Sequence, residues 1–240
     1  TGKEKTSIVN CTDEPHSLGV QDYLFLTIKS PALLPSLQAI KPLIGKDTTI
    51  ITCMNGIPHW YFHKLDNKYA NYKIKCLDPN LLIDAILPPD NIVGSVVYPA
   101  CEIVKPGTIK HIAGNRFSLG EPEGSESDRL KFISDILKRA GFRAPIQKNI
   151  RDEIWLKLIG NLSFNPISAL TGATLEQICN NKGTEAIVRA MMTEAKIIAE
   201  KLGAKINMSI EKRIDGARKV GAHKTSMLQD IEASKPIEID

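Results

Sequence analysis

The sequence predicts an α/β domain followed by an all-α one, on three observations: an early strand–helix–strand unit, a middle stretch of alternating strands, and an end with helical periodicity alone. From Asp22 the run Asp-Tyr-Leu-Phe-Leu-Thr-Ile-Lys is nearly continuously apolar, as expected of a parallel strand covered on both faces. Pro31 then opens a helix in which Leu33, Leu34, Leu37, Ile40 and Leu43 recur at helical spacing, and Thr48 to Cys53 supplies a second buried strand. A crossover of this kind is almost always right-handed and makes its two strands parallel.

After Asn55-Gly56 the aromatic, irregular segment from His59 to Pro89 reads as a short helix and a surface excursion. Ile92 to Tyr98, Thr108 to Ile112 and Arg116 to Leu119 alternate around Pro106-Gly107 and Gly114-Asn115, the pattern of antiparallel strands joined by turns. Ser127 to Ala140 is an amphipathic helix with Leu130, Ile133 and Leu137 on one face. Arg143 to Gln147 is the last strand candidate. Helices are then expected over 151–169, 184–202 and 209–220, with a shorter one from about Ser226. The 240 residues suffice for one large domain or two modest ones.

Composition narrows the function. Hydrophobic residues at 42% and charged residues at 24% exclude a disordered or fibrous chain. The net charge of +4 is dispersed, so no basic stripe points to nucleic acid or a membrane surface. No apolar run approaches the roughly 20 residues that span a bilayer. Cys11, Cys53, Cys76, Cys101 and Cys179 are odd in number and never form C-x-x-C, so a reducing cytoplasm is the expected setting.

Three clusters could carry chemistry. In doubly wound sheets ligands bind beyond the carboxyl ends of the strands, and Lys29 and Asn55-Gly56 stand at two such ends, though each also reads as an ordinary strand end or turn. In Trp155-Leu-Lys157-Leu-Ile-Gly-Asn161-Leu-Ser-Phe-Asn165-Pro166 the residues Lys157, Asn161 and Asn165 fall in one polar stripe, and Pro166 is expected to kink or end the helix. A solvent face is the plainer reading of that stripe, but asparagine is a poor helix former that an exposed face has no reason to select twice. The run from His223 to Asp240 offers hydroxyls, an amide and carboxylates, although Ser226-x-x-Gln229 reads as a capping box and Pro236 as a helix-start proline. No G-x-G-x-x-G turn occurs anywhere in the chain.

On these residues, together with Gly94 to Ala100, Pro106-Gly107 and Thr-Ser-Met-Leu-Gln-Asp after His223, the chain resembles the 2-dehydropantoate 2-reductases, or ketopantoate reductases. The resemblance implies an incomplete Rossmann-type NADP-binding domain over residues 1–148. It implies an all-α domain like that of 6-phosphogluconate dehydrogenase over 149–240. Family members carry the glycine-rich turn upstream and further helices downstream, so the chain is expected to be trimmed at both ends. The implied reaction is NADPH-dependent reduction of 2-dehydropantoate to (R)-pantoate. Lys157 would be the proton donor, with Asn55, Asn161 and Asn165 as substrate ligands and Ser226 and the residues after it holding the substrate carboxylate, and Lys29, Asn55, Ala100 and Glu238 would touch NADPH. His223 and Leu175 stand where the resemblance leads one to expect asparagines. These two departures keep open a reductase of another small 2-oxo acid, and the missing G-x-G-x-x-G turn keeps open a non-catalytic ligand-binding relative. The expected partners are a small 2-oxo acid and a second copy of the chain, with no nucleic acid, membrane or metal. Substrate is expected between the domains, with Asn55 and Lys157 facing each other across it.

Overall fold

Alternation along three short strands decides where the cores form. The computed structural model describes residues 4–239. Strands β1 (Tyr23–Leu26), β2 (Thr49–Thr52) and β3 (Ile92–Val97) are parallel, and β6 (Phe117–Gly120) closes the sheet antiparallel to β3, in the order β1-β2-β3-β6. Ile50, Ile92 and Val96 face one core, shared with helices α1 (Ser30–Ile40) and α4 (Ile150–Thr171). Their neighbours Ile51, Val93 and Leu119 face a smaller core under α3 (Asp128–Arg139). The period of two thus assigns each successive side chain to the opposite layer. β2 is buried along its whole length, as a central parallel strand should be. β1 is not: it is the edge among the described residues, and Phe25 is 39% exposed.

The middle of the chain differs from the expected run of antiparallel strands. β3 is parallel to β2, and only β6 is antiparallel to it. β5 (Thr108–Ala113) pairs with β4 (Ala100–Lys105), a strand missing from the expectation, in a separate exposed hairpin turned at Pro106-Gly107. Alternation identifies strands without naming their partners. Residues 143–147 make only isolated bridges, Arg116 with Arg143 and Leu119 with Ile146, because Pro145 has no N–H to continue a ladder. The excursion after Asn55 holds α2 (Leu82–Ile86), capped by Asp78, but Trp60 and Tyr61 in it are fully buried.

From Ile150 onward the described chain is helical. α4 is followed by α5 (Leu175–Asn180), which the periodicity missed because it is under two turns long, then α6 (Lys182–Lys201), α7 (Ile210–Val220) and α8 (Ser226–Glu232). Pro166 neither ends nor interrupts α4, which runs on to Thr171 and stops at Gly172 in the left-handed region (φ 68°). The capping box lies at Thr174/Gln177, not at Ser226/Gln229. The cap of α8 is Thr225, and Ser226 is its first helical residue. Pro236 starts no helix among the described residues.

Candidate active site

Where the parallel strands end, α4 crosses them, and a cleft of about 250 Å³ opens between the two. Thr52, Met54 and Asn55 line it from the end of β2, Ser95 and Val96 from β3, and Ile154, Lys157, Leu158 and Asn161 from α4. The Lys157 ammonium donates to Asn55 Oδ1 at 2.7 Å and to the carbonyl of Val97. Its Nζ lies 5.6 Å from the centre of the Tyr98 ring. Burial lowers the Lys157 pKa to about 8, against the smaller opposing pull of Glu238. An amine in this state is both charged and willing to release its proton near neutral pH.

Tyr98 is held in place from behind. Its hydroxyl donates to Glu153 at 3.2 Å, and Glu153 pairs with Arg116 at 2.6 Å and accepts from Ser118 at 3.1 Å. Burial, then the nearby Glu153, pushes the tyrosine up to about 12, so the ring beside Lys157 stays neutral. Trp60 donates to Thr52 Oγ1 at 3.0 Å and fixes the cleft wall.

The C-terminal segment ties down the start of α1. Lys29 Nζ pairs with Asp230 at 2.6 Å, and the Ser30 N–H donates to Glu238 Oε1 at 3.1 Å. Glu238 lines the cleft; Lys29 flanks it, next to Ser30. A carboxylate that accepts from hydroxyls, an amide side chain and a helix N-terminus, gathered at the carboxyl ends of parallel strands, fit the ribose end of a dinucleotide. Ala100 does not join them: it begins the exposed β4 hairpin, outside the residues that line the cleft.

A second, wider chamber of about 490 Å³ continues past Asn161, which lines both. It holds Asn165 and Ser226, together with Leu175 and His223. These last two are neighbours, since the Leu175 N–H donates to the His223 carbonyl at 3.0 Å. The polar stripe is therefore half-buried against ligand-sized space and does not form a solvent face. The sequence reading missed Tyr98, His59 and Arg213. Tyr98 could have been found as a polar aromatic at a strand end. His59 is buried in the cleft wall with both ring nitrogens unpartnered among the described residues, and burial lowers its pKa. Arg213, on a strongly charged helix, carried no local signal. Among the described residues there is no cluster able to hold a metal ion and no helix long and apolar enough to cross a membrane.

The family model "Ketopantoate reductase PanE/ApbA" matches residues 1–124 and its C-terminal counterpart residues 149–240. A 2-dehydropantoate 2-reductase of Mesorhizobium japonicum is 46% identical over 239 residues, covering 100% of this chain and 73% of that protein. The crystal structure of a Ralstonia solanacearum MolK2 protein assigned to the ketopantoate reductases superimposes with a TM-score of 0.87 at 39% identity, over 91% of this chain and 68% of that one. A dimeric ketopantoate reductase of Staphylococcus aureus shares the fold, with a TM-score of 0.65 at 21% identity over 91% of this chain and 66% of that one.

Proposed function

The chain belongs to the ketopantoate reductase family, and from that premise we propose that it reduces 2-dehydropantoate to (R)-pantoate with NADPH, using Lys157 as general acid. The observation that carries this reading is the Lys157 ammonium, desolvated in the cleft and held between Asn55 Oδ1 and the Val97 carbonyl. When bound, the nicotinamide supplies a hydride to the ketone carbon. The chain's part is to meet the charge that gathers on the carbonyl oxygen. Lys157 would do so and then deliver its proton there. Asn55 steadies the ammonium and turns its amide toward substrate, and Asn161 and Asn165 hold the substrate's polar groups in register. Glu238, Ser30 and Lys29 would hold the cofactor's ribose end, and Ser226 would receive substrate from the far side. In this reading residues 1–148 form the cofactor domain and 149–240 the substrate domain. A cytoplasmic enzyme with a second copy as partner completes the proposal.

Lys157→Ala tests it. Cofactor oxidation with 2-dehydropantoate should slow by about 10²-fold or more in kcat, the scale of a lost general acid. An unchanged kcat would remove Lys157 from the mechanism. One observation favours a second substrate: the Leu175 and His223 pair gives the far chamber an apolar wall and an imidazole. A panel of branched 2-oxo acids ranked by kcat/KM decides between them.

A further inference from the structure

Three cations border the space beyond the strand ends: Lys157, which the proposed function uses, and Lys212 and Arg213 in the far chamber, of which Lys212 is exposed and Arg213 half-buried. Lys157 faces Asn55, with the Glu238 carboxylate close enough to bias it. Arg213, on α7, lines the far chamber with Asn161, Asn165 and Ser226. Its guanidinium makes no ion pair or hydrogen bond among the described residues, and burial lowers its pKa with only Tyr98 opposing. A half-buried guanidinium without a carboxylate is costly, and folds normally pair it.

The helix beneath is shaped for it. The guanidinium rests against Gly160 of α4, so close that a Cβ at that position would overlap Nη2, Nε and Cζ. A side chain at position 160 would therefore have to move the guanidinium aside. Gly160 lies three residues beyond Lys157, about 4.5 Å along the helix axis. Asn161, the next residue, lines both the cleft of Lys157 and the chamber of Arg213.

We propose that Arg213 is the counter-ion of the substrate carboxylate, orienting the acid across Asn161 so that its carbonyl oxygen meets Lys157. This rests on the reading of the protein as a 2-oxo acid reductase. A planar guanidinium matches a carboxylate bidentately, which a lone hydroxyl such as that of Ser226 does not. The arrangement selects 2-oxo acids over ketones that lack the charge.

Two variants test it. Arg213→Met removes the charge, while Gly160→Ala keeps Arg213 and improves the helix propensity, displacing the guanidinium by one methyl group. Both should raise KM for 2-dehydropantoate roughly 10- to 100-fold, the worth of a charged hydrogen-bonded pair, and leave KM for NADPH within about twofold. Binding of oxamate, read as a thermal shift without turnover, should be lost in both. A folded Gly160→Ala protein with wild-type KM and wild-type oxamate binding overturns the proposal, as does an Arg213→Met protein that loses stability alone. If the unmodified protein binds oxamate through Arg213 yet turns over no 2-oxo acid, the reductase reading fails while the carboxylate site stands.

Discussion

At the scale of single residues, the chemistry turns on how far burial moves one lysine. Lys157 titrates near 8 where an ordinary lysine titrates near 10.5. A proton donor must be protonated, so kcat/KM should be level at lower pH and fall as pH rises through about 8. A pH–rate profile whose basic limb lies near 10.5 would assign the limb to an unshifted amine. The same shift acts on stability with a definite sign. Between about 8 and 10.5 the unfolded chain holds a proton on Lys157 that the folded chain has released, so stability rises with pH across that window. Asn55 and Asn161 change no charge, and their place is geometric: one meets the ammonium, and the other lines both chambers.

At the scale of elements, helix ends decide where site residues stand. Ser226 occupies the first turn of α8 because Thr225 caps it, its buried hydroxyl accepting from the Leu228 N–H at 3.3 Å. Thr225→Ala should cost about 1 kcal/mol in chemical denaturation and raise KM for the 2-oxo acid while sparing that for NADPH. A loss of stability with both KM values intact would separate the cap from the site. α4 is the element on which everything else is mounted. Its asparagine stripe was legible from spacing. Its continuation through Pro166 to Thr171 was not, because packing on neighbouring elements carries the helix past a residue at which local chemistry allows an end.

At the scale of the whole molecule, Arg151 joins regions far apart in sequence. Near the start of α4 it donates to the carbonyls of Tyr61 at 2.6 Å and His63 at 2.7 Å, and to that of Pro122. It also lies 5.5 Å from the Tyr61 ring centre. Trp155 adds a bond to the Tyr61 hydroxyl at 2.7 Å. These contacts press the excursion after Asn55 against α4, which is what gives the cleft its wall. Arg151→Met leaves three carbonyls without their donor and should cost about 3 kcal/mol or more, read as a lowered Tm. A Tm within a degree or two of the parent would mean that apolar packing alone holds the excursion.

Local pattern was enough to determine the parallel strand unit, the helical second half and the stripe of Lys157, Asn161 and Asn165, because periods of 2 and 3.6 are written in consecutive residues. It also marked Asn55 as a strand end. Strand partners, the burial of the excursion around Trp60 and the separate β4–β5 hairpin depended on contacts between residues far apart in the chain, which no local period encodes. The state of the site was decided in the same way. Lys157 acquires its lowered pKa only when the end of β3 and Asn55 close over it, and Arg213 becomes a cation facing a chamber only when its side chain comes to rest against Gly160. Desolvation and charge pairing are properties of assembled surroundings, so residue type and spacing could propose the actors while tertiary packing alone gave them their chemistry.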